Sequence, residues 1–185
     1  MAFNINNFKT NGLQFGGARP SLFDVALTIP DGVSNATQKL TFTCRASSIP
    51  AATIAPVEVP YFGRKIKLAG DRTFADWSVT VMNDEDYSIR KMFEQWSNLI
   101  NNHEENLKTA VRNDYKTRDA EVVQYGKDGR PLAAYLFYGL FPLEISAMDL
   151  DWDASNTIQT FNVTFAYDYW TSPAISTYLP NPAIA

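Results

Sequence analysis

The sequence has little of the material from which active sites and metal centres are most often built. Cys44 is its only cysteine and His103 its only histidine among 185 residues. A single cysteine excludes an intramolecular disulfide and a cysteine-based zinc site. We interpret Cys44 as a buried structural thiol, because it follows Leu40 and Phe42 on one alternating face. A Ser-His-Asp triad would have to use His103, which lies in the polar stretch NNHEENLKT and is predicted to be solvated.

Phosphate-binding loops, long apolar runs and an excess of basic residues are also missing. Neither G-x-G-x-x-G nor G-x-x-x-x-G-K-[ST] occurs, so the common nucleotide-binding loops are not predicted. No stretch approaches the roughly 20 apolar residues that cross a bilayer, and MAFNINNFKTNG does not read as a signal peptide. We therefore expect no membrane anchor and synthesis in a cytoplasm. The net charge of -4 argues against the electrostatic footprint of a DNA-binding protein.

Alternation of apolar and polar residues predicts a mainly β protein, closed as a barrel or folded as a sandwich. Hydrophobic residues make up 45% of the chain, which is enough for a core. We expect the first two alternating segments, residues 21–30 and 40–46, to pair as a hairpin. Lys127-Asp128-Gly129 predicts a second hairpin turn. Residues 157–170 are predicted to form the longest strand, which at about 3.3 Å per residue would exceed 35 Å.

One flanking α-helix is predicted around residues 84–101. Ile89, Phe93 and Trp96 recur with helical spacing and define one apolar face. Three acidic residues at positions 84–86 crowd the predicted first turn, where they favour the helix dipole. Asn83 resembles an N-capping residue.

The predicted organisation is one β domain, residues 21–170, with an N-terminal arm at 1–20 and a Pro-rich C-terminal arm at 171–185. A long connection over residues 46–72 carries three prolines, which disfavour a regular central strand. Loops of this length in a compact domain are usually functional or mobile. An extended hairpin around Tyr61-Phe62-Gly63 that docks on another subunit would fit this segment.

The first group of candidate contact residues lies at the end of this connection. It consists of Arg64, Lys65, Lys67, Gly70, Asp71 and Arg72. Gly70-Asp71-Arg72 is interpreted as a charged turn and not as a phosphate loop. Basic residues this few, with acids nearby, favour contact with protein over binding of an anion.

The second group is acidic and consists of Asp149, Asp151 and Asp153. Their alternation resembles the first half of a calcium loop, but Ala154 and Thr160 stand where that loop needs Gly and Glu. We interpret these aspartates as an acidic strand edge, with the intervening Leu150 and Trp152 pointing into the core. The carboxylates then face solvent or a partner's basic residues. No catalytic residue, metal or cofactor is predicted.

Three blocks of the sequence resemble the tail tube proteins of contractile-tailed, T-even-like bacteriophages. The central block is RKIKLAGDRTFADWSVTVMNDEDYSIRKMFEQW, whose Gly-Asp-Arg-Thr-Phe-x-Asp-Trp motif runs from Gly70 to Trp77. The C-terminal block is LDWDASNTIQTFNVTFAYDYW, and the opening block is ARPSLFDVAL followed by FTCRASSIPAA. Together the blocks extend from about residue 18 to residue 170.

The resemblance implies a tube-protein fold, shared with the inner tubes of type VI secretion systems, and a structural role without enzyme activity. Six subunits would form a ring, and the rings would stack into a hollow tube inside a contractile sheath. Residues 64–72 would contribute to contacts between subunits or rings. Genomic double-stranded DNA would pass through the lumen without specific binding, and we expect that lumen to be polar and net acidic, since phosphate is then repelled.

The partners implied by the resemblance are further copies of the chain, the tail sheath protein, a baseplate or hub initiator, the tape measure protein and the tail terminator. The location implied is the tail of a virion, assembled in the cytoplasm of a host bacterium.

Three other functions remain open at this point. The inner tube of a related contractile injection system would carry protein cargo instead of DNA. A small β-rich hydrolase with a carboxylate pair would show a concave site with shifted carboxyl pKa values and a stable monomer. A β-barrel that binds nucleic acid would show a basic, aromatic groove, against which the net charge of -4 argues.

Overall fold

Strands dominate the computed structural model, which describes residues 5–13, 16–109, 111, 115–117 and 120–172. Residues 173–185 of the predicted C-terminal arm lie outside the described residues. The elements, in chain order, are α1 (Ile5–Asn11), β1 (Phe23–Leu27), α2 (Thr37–Thr43), β2 (Cys44–Ser47), β3 (Ala52–Tyr61), β4 (Arg64–Phe74), β5 (Trp77–Met82), α3 (Ser88–Ile100), β6 (Ala120–Tyr125), β7 (Pro131–Tyr138), β8 (Phe141–Ile145), β9 (Thr160–Ala166) and β10 (Tyr169–Thr171).

Two four-stranded antiparallel sheets enclose the core. The first sheet has the order β1-β6-β7-β10 and the second sheet the order β2-β5-β9-β8. Trp77 of the second sheet stacks on Phe137 of the first, with ring centroids 4.5 Å apart, and Phe165 lies 5.4 Å from Trp77. Helix α3 adds Phe93, whose ring is 5.7 Å from Phe165. The predicted mainly β fold is confirmed, and α3 packs against the core as predicted. The prediction of one helix is wrong, because α1 and α2 are also present and α2 buries Leu40 in the same core.

Helix α3 begins four residues later than predicted, at Ser88. The preceding acidic residues form a turn in which the Asp86 carboxylate accepts a hydrogen bond from the Ser88 backbone N–H at 3.0 Å, and Tyr87 adopts a left-handed φ of 55°. Asn83 does not cap the helix as predicted, because its side-chain amide donates to Gln159 Oε1 at 3.0 Å. The predicted apolar face is buried at Ile89, Met92, Phe93 and Trp96.

The predicted pairing of the first two alternating segments is wrong. Residues 37–43 form α2, and β1 pairs with β6 while β2 pairs with β5. Leu40 is fully buried but Phe42 is 79% exposed, so the two do not share the face that strand alternation required. Local bonds favour the helix: Asn35 Oδ1 accepts from the Thr37 backbone N–H at 3.1 Å, and Thr43 Oγ1 donates to the Lys39 carbonyl at 3.0 Å.

The predicted long final strand is divided between the two sheets. β9 covers seven residues of the second sheet, and β10 covers three residues of the first. The chain changes sheet at Asp168, whose backbone N–H donates to the Tyr138 carbonyl at 2.9 Å. The apolar alternation of the sequence continues through Tyr167 and Tyr169, so the sequence does not reveal the break. In the structure Tyr169 is 47% exposed and Trp170 packs against the core instead. The hairpin between β6 and β7 forms as predicted, with Gly129 at φ 78°.

Candidate assembly surfaces

The long mid-chain segment forms a two-stranded hairpin, residues 52–74, that belongs to neither sheet. β3 pairs with β4 from Ala52 opposite Phe74 to Tyr61 opposite Arg64. Every residue of β3 is exposed, and so is every residue of β4 apart from Gly70 and Phe74. The shape agrees with the predicted extended hairpin, although it is more regular than the predicted loop. A two-stranded hairpin in water is marginally stable by itself, so this one gains from a surface that covers it.

Gly70 and Asp71 form a bulge within β4, and the turn predicted for them is wrong. Positions 54 and 56 of β3 pair with positions 72 and 69 of β4, so two residues of β4 oppose Ala55 alone. A Cβ on Gly70 would lie 2.5 Å from the carbonyl oxygen of Ala55. Glycine therefore lets the two backbones approach at the bulge. The sequence signal was ambiguous because glycine marks both bulges and turns.

The hairpin has one apolar face and one charged face. Cross-strand partners project from the same side of a two-stranded sheet. The apolar face consists of Val57, Val59, Tyr61, Ile66 and Leu68, which are 42–61% exposed. The charged face includes Glu58, Lys65 and Lys67, with a salt bridge of 2.7 Å between Lys65 Nζ and Glu58 Oε2. The apolar face was not identified from the sequence, although Val57, Val59 and Tyr61 alternate visibly, because three prolines in the segment argued against strands.

All six predicted contact residues of the first group lie on β4. Lys65 and Lys67 are on the charged face, Arg64 is beside the hairpin turn, and Arg72 follows the bulge. Within the described part of the chain, Lys65 is the one basic residue of this strand that forms a salt bridge. Three positive charges on an exposed strand are thus left for another molecule.

The three aspartates of the second group lie in the connection between β8 and β9, residues 146–159, which we call the acidic loop. The predicted strand edge is wrong, because Leu150 is 85% and Trp152 103% exposed instead of buried. Asp151 Oδ1 accepts a hydrogen bond from the Asp153 backbone N–H at 3.0 Å and turns the chain. Asn156 then adopts a left-handed φ of 64°. Aspartates that bond to their own backbone favour turns over strands.

The second sheet leaves one face half-exposed or exposed, and this outer face carries mostly uncharged polar side chains. They include Ser78, Thr80, Asn162 and Thr164. Thr80 Oγ1 donates to Asn162 Oδ1 at 2.7 Å. Each edge strand adds a charge, Arg45 on β2 and Glu144 on β8. In the ranges that the structure covers, the outer edges of β2 and β8 pair with no further strand, and open edges accept strands from other chains.

Neither charge nor burial activates the Cys44 thiol, and His103 lies at the surface. Cys44 is half-buried, which modifies the prediction of a buried thiol. Burial, and after it the charge of Asp24, raises the pKa of the Cys44 thiol to about 11. The thiol therefore stays protonated near neutral pH and is a poor nucleophile. His103 is exposed after α3, as predicted.

The perturbed carboxyl groups do not suit acid catalysis. The pKa values of Asp84 and Asp86 are lowered by hydrogen bonds from Lys39, and that of Asp128 is lowered by the Arg130 backbone N–H. A general acid needs the opposite shift. Across the residues described above, no three His, Cys, Asp or Glu side chains cluster as metal ligands. None of the helices in the described ranges is long and apolar enough to span a bilayer.

Comparison with known proteins gives a consistent result. A family model for phage tail tube proteins matches residues 18–172. The tail tube protein gp19 of Enterobacteria phage T4 is 40% identical over 154 residues, which are 83% of this chain and 90% of that protein. The tail tube protein of Serratia phage KSP90 is 22% identical over 166 residues, 88% of this chain and 93% of that protein.

Solved structures share the fold at low identity. A chain of the sheath–tube complex of the PVC extracellular contractile injection system has a TM-score of 0.61 and 12% identity, and covers 92% of this chain and 98% of that chain. A chain of the anti-feeding prophage baseplate has a TM-score of 0.60 and 13% identity, and covers 84% of this chain and 95% of that chain. The curated relatives are structural proteins, which confirms the prediction of a chain without enzyme activity. By the match over residues 18–172 and the 40% identity to a tail tube protein, the chain belongs to the phage tail tube protein family.

Proposed function

We propose that the chain forms hexameric rings that stack into a hollow conduit, inside a contractile sheath, through which double-stranded DNA leaves the virion. The observation that carries the proposal is the hairpin of β3 and β4, which projects from both sheets with an exposed apolar face. A soluble monomer gains nothing from such an element. A tube subunit uses it to contact a neighbour, and burying the apolar face stabilises that contact.

The open edges of the sheets support ring formation. β1 and β10 end the first sheet, and β2 and β8 end the second. When subunits meet edge to edge around an axis, the unpaired N–H and C=O groups of each edge find partners and the sheet becomes continuous. A heterologous contact of this kind closes into a ring when its rotation permits. Sixfold closure is supported by the similar chain in the anti-feeding prophage baseplate, which was solved with sixfold symmetry.

The outer face of the second sheet is our candidate for the lining of the conduit. Its hydroxyl and amide groups form no cationic track. Arg45 on β2 is offset by Glu144 on β8, so this face is polar as expected but its charges balance, whereas a net acidic lumen was expected. DNA gains affinity mainly when basic side chains release counterions from phosphate, so this face lets the duplex pass without being held. We expect assembled tubes to bind duplex DNA weakly at physiological salt. A tight complex that weakens steeply with added salt, measured by fluorescence anisotropy, would contradict this lining.

The proposed partners are the sheath protein, a baseplate or hub initiator, the tape measure protein and the tail terminator. Similar chains occur in a sheath–tube complex, in a baseplate and in a sheath–tube terminator complex. These structures support contacts with the sheath protein, the baseplate initiator and the tail terminator. The proposed location is the virion tail, after synthesis and assembly in the cytoplasm of a host bacterium. The proposed contact with the tape measure protein is supported by the family resemblance alone.

Negative-stain electron microscopy of the purified protein over a concentration series tests the proposal. We expect rings or hollow tubes above a critical concentration, with six subunits around the ring in class averages. A crowding agent should lower that concentration, since excluded volume favours association. Particles that stay monomeric at every concentration, with and without crowding, would refute assembly by the chain itself.

An inner tube that carries protein cargo is the second candidate, because the solved structures of similar fold include extracellular contractile injection systems. The 40% identity to a phage T4 protein favours the DNA conduit. Neighbouring genes separate the two, since genes for a capsid protein and a terminase accompany a DNA conduit and are not needed for a protein injector.

A further inference from the structure

The acidic loop presents a tryptophan to solvent in a defined conformation. Trp152 is fully exposed, so its ring packs on nothing in its own chain, and Leu150 beside it is nearly as exposed. The loop is held by backbone bonds, including Ser155 N–H to the Asp153 carbonyl at 2.8 Å. Tryptophan is enriched at binding hot spots, because a large rigid ring buries much area at little entropic cost. An ordered loop with an exposed tryptophan therefore has the composition of a contact surface.

The charges of this loop and of the hairpin have opposite signs. The acidic loop, residues 146–159, contains three aspartates and no basic residue, whereas the hairpin, residues 52–74, contains four basic and two acidic residues. The chain as a whole has a net charge of -4, so the hairpin is a basic segment on an acidic protein. Long-range attraction between the two segments steers their encounter.

We infer that the acidic loop of one copy docks on the hairpin of a second copy. In this contact Trp152 and Leu150 cover the apolar face of the hairpin. The carboxylates of the acidic loop pair with basic side chains of β4 at the rim, where solvent-exposed ion pairs add orientation more than strength. The inference rests on the proposed function and deepens it, because it names the two surfaces that meet.

A second copy is the occupant that the composition favours. Each chain carries one acidic loop and one hairpin, so every copy offers both halves of the contact. Such a contact is heterologous and repeats from subunit to subunit, which builds a ring or a stack. Both surfaces carry exposed apolar side chains that can cover each other. Their charges have opposite signs, so the aspartates of one surface can pair with the basic residues of the other.

A charge exchange between the two surfaces tests the inference. The loop variant is Asp149→Lys with Asp153→Lys, which avoids Asp151 because its side chain holds the loop. The hairpin variant is Arg64→Glu with Arg72→Glu, because Arg64 pairs with Tyr61 and so projects on the side of the apolar face. Each variant alone should raise the critical concentration for assembly, measured by sedimentation, by tenfold or more, because like charges then face each other. A chain that carries all four substitutions should assemble within about threefold of the wild type, because every contact is complementary again.

The matched control is Glu104→Lys with Glu105→Lys, which reverses two exposed acids in the turn after α3 and should leave the critical concentration unchanged. Trp152→Ala, compared with Phe42→Ala at another exposed aromatic position, tests the apolar part of the contact. Trp152→Ala should raise the critical concentration at least tenfold and Phe42→Ala should not. Thermal unfolding of each monomer shows that the variants fold.

The outcomes separate this inference from the proposed function. Tubes that form equally well with the loop variant, the hairpin variant or Trp152→Ala would overturn the docking contact and leave the tube intact. Loss of assembly in both charge variants without recovery in the combined chain would also overturn it. A wild-type chain that forms neither rings nor tubes, with and without crowding, would refute assembly by the chain itself and this contact together.

Discussion

Substituting Gly70 by alanine should separate the two things that this chain does, folding and assembling. The bulge at Gly70 brings the strands of the hairpin together so closely that a Cβ would lie 2.5 Å from the Ala55 carbonyl oxygen and 3.0 Å from Val57 Cγ2. The clash with Ala55 is with backbone, which cannot rotate away. The hairpin must therefore open or bend at the bulge, whereas the Trp77 core lies elsewhere.

The size of the effect follows from this distance. Real Cβ atoms are essentially never found closer than 3.0 Å to another heavy atom, so the backbone must move by at least half an ångström or so. Overpacking of this kind costs about 1–3 kcal/mol. An isolated monomer avoids much of that cost by opening the hairpin. An assembled subunit cannot do so if the hairpin is held against a neighbour, and about 1–3 kcal/mol per contact corresponds to a 5- to 150-fold higher critical concentration.

Two assays on the same protein measure this difference. The critical concentration from sedimentation should rise for Gly70→Ala, while the thermal midpoint of the monomer stays close to that of the wild type. Ala69→Ser is the matched control, since it adds an atom at the neighbouring exposed position of β4 without touching the bulge. Wild-type assembly by Gly70→Ala would refute the argument that the hairpin geometry matters. A monomer destabilised as strongly as a core variant would show that the hairpin is part of the cooperative core.

Two further predictions concern stability. Phe165→Ala should lower the free energy of unfolding by about 3–5 kcal/mol in urea titrations, because Phe165 is fully buried and its ring lies 5.4 Å from that of Trp77; a loss below about 1 kcal/mol would mean that the two sheets do not share this core. Lys39 Nζ forms salt bridges with Asp84 at 2.5 Å and with Asp86 at 2.6 Å. The hydrogen bond from Lys39 lowers the pKa of Asp86 from 3.8 to about 2. The stabilisation of the folded state by this ion pair is therefore present above pH 3.8 and is lost as the pH falls towards 2. The difference in thermal midpoint between the wild type and Lys39→Met should therefore shrink on acidification across that window, and a constant difference would contradict the ion pairs.

Local patterns predicted those elements whose side chains sort cleanly between core and solvent. The alternation of Trp77, Val79 and Val81 placed a strand, and the structure buries all three. The helical spacing of Ile89 and Phe93 placed α3 within a few residues. These predictions succeed because apolar residues repeat every two residues in a strand and every 3.6 residues in a helix when one face of the element is buried.

Prediction from the spacing of apolar residues was wrong where the same spacing is compatible with two different structures. Leu40 and Phe42 alternate as a strand would, but the segment is a helix that buries Leu40 alone. Trp152 alternates with aspartates, yet it lies in a turn and points to solvent. Alternation is a necessary mark of a half-buried strand and not a sufficient one, because side-chain bonds to the backbone decide turns and short helices.

The sequence by itself determined the family, the mainly β composition, the amphipathic helix α3 and the basic character of residues 64–72, because each of these follows from local spacing or from a motif. Only the tertiary structure decided that those residues form one strand of a projecting hairpin, that Gly70 makes a bulge, and that the last alternating segment passes from one sheet to the other. The physical reason is that strand pairing joins residues far apart in the chain. Which partner a strand takes depends on the packing of the whole core, and no window of sequence contains that information.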